Sequence, residues 1–526
     1  MAAKFDLTDD SVVVIVGSGA GGGTMANELA QKGVKSVVLE AGKKLSLEDI
    51  DNDEWAMFSK ISWLDKRFSE GSWHGKQNHS GLPAWIVKGL GGSSVHWAGL
   101  ALRMQEFEFK MKTTNGDLPG ANLLDWPVTL GEMEPYYEKA ENKMGVVGPT
   151  TGMPYLPWNN NQRVIAEGAR RIGMKEILSA PAAINSVARD DRPGCQQIGF
   201  CMQGCKIGAK WSTLYTELPK AVATGNCEIR TNCMVLQVQH DKTGKVTGVL
   251  YADKDGNQQV QKARVVLVAG NSIESPRLLL NSASSKYPDG LANSSGQVGK
   301  NYMTHSGGGS YAVMPEPVHM HRGTTVPGLV TDEAHSNPSR GFAGGYNLET
   351  LALGLPFLSA FLEPGPRGWG RNVSSALEKY KYIAGVWICG EDMAREQNAV
   401  TLHKTEKDQY GLPASVVSRS PHENDVKMVK HAHRSMKNIF EAMGSNEVYH
   451  LAPYPASHNM GTNRMSEKAA DGVVNKHGQS HDIKNLFVSD GSQFTSSGSE
   501  NPTLTIVALA IRQAEFVAES MKKGEI

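Results

Sequence analysis

At 526 residues, 40% of them apolar and 21% charged, the chain exceeds one ordinary core and is expected to fold as two domains or one elaborated domain. Its 54 Lys and Arg balance 54 Asp and Glu, which argues against a nucleic-acid groove or a polybasic membrane patch. Six scattered cysteines make no disulfide framework in a chain this long, and no stretch approaches the ~18 uncharged apolar residues of a membrane span. The first ten residues are polar and acidic, without a twin arginine or an apolar core, so no export signal is expected there.

A nucleotide-binding pattern comes first. Residues 11–16 (Ser-Val-Val-Val-Ile-Val) read as a parallel strand buried on both faces. Gly17-Ser18-Gly19-Ala20-Gly21-Gly22 follows at once, residues 23–32 read as a helix, and Val34 to Leu39 reads as a second strand, followed by Glu40. In such a pattern Gly17 makes the tight turn, Gly19 lets a pyrophosphate approach the backbone, and Gly22 lets the helix pack on the strand. The helix N-terminus offers N–H groups to phosphates, and Glu40, 23 residues after Gly17, is placed to accept from ribose hydroxyls. A lone glycine motif carries little weight; strand, glycines, helix, strand and acid in order carry much more. The place of the pattern, at the start of the chain, favours FAD over NAD.

A second loop, Gly89-Leu90-Gly91-Gly92-Ser93-Ser94-Val95-His96-Trp97, has glycines and hydroxyls that suit close approach to phosphate or ring atoms. Half of the six cysteines then fall within eleven residues, as Cys195-x5-Cys201-x3-Cys205. The spacing matches neither a paired zinc pattern nor the bacterial ferredoxin run. Three thiolates in one loop suit a metal or an iron–sulfur cluster; the other reading is a set of free or redox-sensing thiols. Cys227 and Cys233 lie in a strand region, as small core residues or with one of them completing a four-iron site, and Cys389 reads as buried core. Arg264 to Ala269 reads as a buried strand, followed by the turn Gly270–Pro276 and a helix with proline near its first turn.

From Gly91 onward the chain resembles the glucose–methanol–choline (GMC) oxidoreductases, whose Gly-Gly-Ser-Ser loop lies on the FAD. The resemblance implies an α/β (α+β) fold: a discontinuous Rossmann-like FAD domain, with a substrate domain of sheet covered by helices. It makes Gly17, Gly19, Gly22, Glu40, Gly91, Gly92, Ser93, Ser94, His96, Asp490 and Asn501 FAD contacts. His96-Trp97 replaces the family's usual aliphatic-Asn pair and is similar to the pyranose 2-oxidase loop, whose histidine carries the flavin covalently. A His96–flavin bond is one expectation, and a histidine packed near the flavin without a bond is the other. Asp125-Trp126-Pro127 with Glu134-Pro135-Tyr136-Tyr137 resembles a scaffold helix of the family. Val298-Gly299-Lys300-Asn301-Tyr302-Met303-Thr304-His305 resembles a further family segment, with Thr304 where an acid usually stands. These runs are expected to shape the cofactor pocket and not the chemistry.

The family's catalytic pair, a histidine before x-x-Gly-Thr and a His or Asn before the last helix, corresponds to His458 and Asn501. Oxidising a carbinol requires its O–H proton to leave as its C–H hydride goes to flavin N5. A neutral imidazole at His458 can take that proton, while Asn501 can only hold the hydroxyl. The cysteine loop and its following Ile207-Gly208-Ala209 resemble the catalytic subunit of bacterial three-subunit FAD-dependent sugar dehydrogenases, where three cysteines hold a 3Fe-4S cluster. Carried over, Cys195, Cys201 and Cys205 are the ligands, and electrons leave singly toward a cytochrome c.

The function so implied is a dehydrogenase for a secondary alcohol of a sugar, glycoside or polyol. It would be accompanied by a small chaperone-like subunit, with membrane contact only through a partner. Periplasmic placement by co-export is favoured, and a cytoplasmic enzyme is the alternative. The rival functions are an oxygen-using oxidase, a dehydrogenase for a bulkier steroid or aromatic alcohol, and an electron-transfer subunit without a substrate. The expected divisions are 1–110 (FAD domain, first part), 111–190 (helical insertion), 191–310 (cysteine loop and FAD domain, second part), 311–455 (substrate domain) and 456–526 (FAD domain, third part). Within the fourth, the run Leu355 to Gly370 is expected to be a pocket lid, a docking surface or an ordinary buried loop.

Overall fold

The computed structural model describes residues 4–526 except 59–61, 64–68, 71–83, 356–357, 359–369 and 452–456. Most of the apolar run 355–370 therefore lies outside the described residues. The elements that position the site are, in chain order, β1 (Val13–Val16), α1 (Ala20–Gln31), β2 (Ser36–Glu40), α2 (Leu130–Met144), α3 (Asn160–Arg171) and β3 (Ile177–Ser179). Then come β4 (Cys227–Thr231), β5 (Val265–Val268), α4 (Asn271–Asn281), β6 (Gly309–Val313), β7 (Gly328–Val330) and β8 (Tyr346–Glu349). The last are β9 (Ile383–Gly390), α5 (Glu423–Ala442), β10 (Val448–Leu451), β11 (Leu486–Val488) and α6 (Thr503–Lys523).

Five strands form a parallel sheet in the order β11–β5–β1–β2–β4. Strand β1 is buried along its whole length, as an apolar strand with helices on both faces must be. Its side chains alternate between two cores: Val13 and Ile15 face Met25 and Leu29 of α1, while Val14 and Val16 face the core that holds Leu504 and Val507 of α6. The chain passes from β1 to β2 on one side and later inserts β5 on the other. That reversal opens a crevice at the C-terminal end of β1, where Gly17 lies. The helix starts at Ala20, earlier than the 23–32 expected from sequence, because the glycines themselves form its first turn. The scaffold helix α2 carries a capping box at Thr129 and Glu132, and Tyr137 hydrogen-bonds Thr505 of α6 at 2.9 Å.

The second sheet has six antiparallel strands in the order β10–β6–β9–β8–β7–β3. Helices α3 and α5 pack against it through a core that includes Ile165, Tyr311, Val386, Met428 and Phe440. A sheet is thus present where one was expected within 311–455, with wider bounds. It begins at Gly309 and takes its edge strand, β3, from the segment assigned to the helical insertion. The register aligns Asn347 with Cys389 and Glu349 with Trp387. Since opposite residues of an antiparallel pair share a face, Glu349 and Cys389 project to the same side. Asn347 Nδ2 donates to Ser499 O at 2.9 Å, so that side is turned toward the loop leading into α6.

Candidate active site

One cavity runs from the glycine turn after β1 to the second sheet. Gly17, Gly19, Glu40, Gly92, Ser93 and His96 line one end, and His305, Glu349, Cys389, His458 and Asn501 line the other. At the first end α1 begins with no side-chain cap and no acid in its first turn, so its N–H groups are left for an anion. A Cβ on Gly22 would stand 2.1 Å from Gly17 O, whereas a Cβ on Gly19 meets nothing within 4 Å and would project into the space a pyrophosphate needs. Gly92 lies on the first loop, its ideal Cβ 3.0 Å from Gly19 Cα, and Gly91 N–H donates to Ser18 Oγ at 3.0 Å.

Glu40 ends β2 with one carboxylate oxygen accepting from Ser18 N and Oγ (3.1 and 2.5 Å) and the other from Gly42 N (2.8 Å). Burial raises its pKa. Ser94 is turned inward, donating to Gly91 O at 2.6 Å, while Ser93 is open to the cavity. Asp490 lines the cavity, yet both its oxygens are occupied: Asn271 N and Ser275 Oγ donate to one, Ser492 N and Oγ to the other. It ties the end of β11 to the start of α4. The cradle thus has the features a dinucleotide requires: an open helix end, a bare glycine and a buried acid. Gly22→Val is expected to abolish FAD retention, since its side chain would collide with backbone that cannot give way; normal flavin content after purification would refute this.

At the other end, backbone pairing builds a cluster of histidines and a thiol. Met303 and Met460 exchange hydrogen bonds of 2.9 Å in an antiparallel bridge. Two residues along, the same register sets His305 opposite His458. Their Nδ1 atoms lie 2.8 Å apart and their rings 4.8 Å apart at 82°. Ser306 pairs with Gly390, which brings Cys389 Sγ to 2.9 Å from His305 Nδ1. His305 Nε2 faces Ser497 O at 3.4 Å. A ring that donates from Nε2 to a carbonyl keeps its lone pair on Nδ1. That lone pair accepts from His458 Nδ1–H, leaving Nε2 of His458 as its acceptor. Burial pushes the His458 pKa down to about 4 and, together with the neighbouring ring, pushes that of His305 well below the ordinary value, so both are neutral at pH 7. Asn501 is buried just before α6 and lines the same cavity as Glu349. His458 and Asn501 line the same cavity.

Sequence reasoning missed three members of this end. His305 sits in a segment expected to shape the cofactor pocket, but it orients the His458 ring. Cys389 is buried as expected, yet its sulfur is a polar contact in the cluster. Glu349 belongs to no motif and arrives by strand register alone. Thr304, in the place of the family's usual acid, receives one from elsewhere: its N–H donates to Asp392 at 2.8 Å, and Asp392 is paired with Arg419 at 3.0 Å.

The three clustered cysteines are in no disulfide and pack into one small core with Val147, Met153 and Ile184. The loop bends through left-handed backbone at two residues other than glycine, Gln197 (φ 58°) and Phe200 (φ 59°). Gln197 N donates to Cys195 Sγ and Lys210 N to Cys205 Sγ, each at 3.4 Å. Burial and the other two sulfurs push the Cys195 thiol up to about 11. Lys210, wholly buried, joins the two loops, its Nζ donating to Val95 O (3.0 Å), Trp97 O (2.5 Å) and Cys201 O (2.5 Å). Met202, next to Cys201, lines the same cavity as His96. Cys227 and Cys233 pack in the cores about the parallel sheet, apart from this loop.

These features agree with the comparisons. The GMC oxidoreductase N-terminal family model matches residues 2–307 and the C-terminal model residues 394–510. The chain is 32% identical to the 2-methyl-1,2-propanediol dehydrogenase of Mycolicibacterium austroafricanum, over 98% of this chain and 96% of that one. It is 28% identical to the fructose dehydrogenase large subunit of Gluconobacter japonicus, over 97% and 98%. The structure of Aspergillus oryzae formate oxidase, solved to follow FAD modification, superposes with a TM-score of 0.66 at 15% identity and covers 98% of this chain and 100% of that one. With family models spanning most of its length, and an FAD cradle and histidine cluster in one cavity, this chain belongs to the GMC oxidoreductases.

Proposed function

We propose that this FAD-binding oxidoreductase of alcohol CH–OH groups is a dehydrogenase for a secondary alcohol of a sugar, glycoside or polyol, whose electrons leave through a 3Fe-4S cluster on Cys195, Cys201 and Cys205. The observation that carries the reading is the shared cavity: the histidine cluster opens into it, and the cysteine loop lines it through Met202. Bound FAD supplies the hydride acceptor. His458 Nε2 takes the hydroxyl proton, and His305 holds the ring so that this nitrogen carries the lone pair. Asn501 holds the hydroxyl against rotation. A carbohydrate or diol substrate is favoured by the names of the two relatives, one a sugar and one a diol dehydrogenase.

The cluster serves one-electron traffic. A haem accepts electrons singly, and a cluster held by Cys195, Cys201 and Cys205 would supply a one-electron relay beside the cavity that Met202 lines. The outer side of the loop is exposed, with Ile198 at 45%. A cytochrome c docking there and a small chaperone-like subunit are the partners of this reading, with export to the periplasm in their company and a cytoplasmic enzyme as the alternative. Among the described residues no helix is long and apolar enough to cross a membrane.

The test is anaerobic flavin reduction across sugars, glycosides and polyols, with electron paramagnetic resonance on the same sample. A 3Fe-4S signal that disappears when substrate is added supports the reading. Stoichiometric peroxide with no need for another acceptor would replace it with an oxidase. The proposal extends to His96, which lines the cavity and is 4% exposed: a covalent bond to the flavin predicts a chain heavier by one FAD on denaturing mass spectrometry. A chain of unmodified mass removes the bond and leaves His96 as packing.

A further inference from the structure

We infer that His305, Cys389 and His458 form a binding site for a zinc-like cation, and that a metal bound there switches alcohol oxidation off. The binding half stands on geometry alone. The switching half rests on the alcohol-oxidation reading, in which His458 Nε2 is the base.

Three ligand atoms converge on one point. His305 Nδ1, Cys389 Sγ and His458 Nδ1 all lie within 4.8 Å of one another. His305 Nδ1 stands 2.8 Å from the other ring nitrogen and 2.9 Å from the sulfur. Backbone pairing holds them there. The bridge between Met303 and Met460 fixes the two histidine segments, and the bridge between Ser306 and Gly390 fixes Cys389 against His305. Each ligand is thus within two residues of a backbone bridge, so the triangle is set by the fold and not by loose side chains. All three residues line the cavity, through which an ion and its water can reach them.

Two imidazoles and a thiolate are a borderline-soft donor set, which suits Zn²⁺ and disfavours Mg²⁺ and Ca²⁺. A tetrahedral ion with bonds of about 2.0–2.1 Å to nitrogen and about 2.3 Å to sulfur holds its ligand atoms roughly 3.3–3.6 Å apart. The hydrogen-bonded contacts must therefore open by about 0.5–0.7 Å, which small side-chain rotations supply. A cavity water takes the fourth position. His305 is already in the tautomer a ligand needs, with Nε2 facing Ser497 O at 3.4 Å and the lone pair on Nδ1.

Binding costs the site one proton and moves another. Cys389 loses its S–H proton to solvent and binds as thiolate. His458 gives up the proton on Nδ1 and takes one on Nε2, so its ring stays neutral with the tautomer reversed. No electron moves. The metal turns Nε2 from an acceptor into a donor, and the base for the alcohol proton is gone.

The test adds Zn²⁺ alone to flavin-loaded protein washed with EDTA. Cys389→Ser and His458→Ala, each checked for flavin content, should each bind one zinc fewer per chain than the unsubstituted protein. The difference between the zinc X-ray absorption spectra of unsubstituted protein and Cys389→Ser should show one sulfur and two imidazoles. Equal zinc in all three proteins, or a difference spectrum without sulfur, would overturn the site. At saturating zinc, flavin reduction by alcohol should fall by roughly 10²–10⁴, as for a lost base, and should return when EDTA is added. Mg²⁺ at the same concentration should have no effect. Zinc bound by these criteria with reduction unchanged would overturn the switch. Failure of every alcohol to reduce the flavin would refute the parent reading alone, since zinc content and the absorption spectra decide the site without substrate.

Discussion

His458→Ala should keep its FAD and lose flavin reduction by roughly 10²–10⁴, the loss typical of a missing general base. The two halves of this outcome have separate causes. FAD retention depends on the glycine turn, the open end of α1 and Glu40, all at the opposite end of the cavity from His458. Proton removal depends on a neutral ring whose Nε2 lone pair is set by the 2.8 Å contact with His305. Because burial lowers the His458 pKa to about 4, the ring stays neutral until the pH falls to that value. The acid limb of flavin reduction should therefore lie near pH 4 and not near the ordinary 6.5. Flavin content from absorbance and anaerobic stopped-flow reduction measure the two halves. Near-normal reduction in the variant would remove His458 from the base role.

The second large effect concerns the electron exit. Cys201→Ser and Cys205→Ser should leave flavin content and flavin reduction intact, while turnover with a cytochrome acceptor falls to background. The reasoning is topological. The two sulfurs sit in a core separate from the histidine cluster, so removing them leaves the proton chemistry untouched. Yet the loop they belong to borders the cavity through Met202 and is clamped to the His96 loop by Lys210, so a cluster there lies on the route outward. Iron analysis and electron paramagnetic resonance should show the cluster in the unsubstituted protein and its loss in both variants. Iron-free protein that still reduces cytochrome would eliminate the cluster.

Much of this molecule was legible along the chain because its chemistry lies in contiguous loops. The order Val13–Val16, Gly17 to Gly22, Ala20–Gln31 and Glu40 is a local pattern, and the parallel sheet follows from it. His458 and Asn501 were readable because each stands in a short motif next to a bridge or a helix start. The boundaries of the second sheet were less legible. Ile177–Ser179 joins it as an edge strand through pairing with Gly328–Val330, some 150 residues away in the chain, and nothing local marks that partner.

The remaining members of the catalytic end come from register. Residues Met303 and Met460 had to pair before His305 could meet His458, and Ser306 had to pair with Gly390 before Cys389 could join them. Glu349 shares a sheet face with Cys389 because β8 and β9 align in register, with each strand's alternation turning one acid and one thiol to the same side. A residue type at a sequence position says which groups are available for proton transfer. Which of them touch, and hence which nitrogen keeps its lone pair and which acid keeps its proton, depends on long-range backbone hydrogen bonds and on the burial they create.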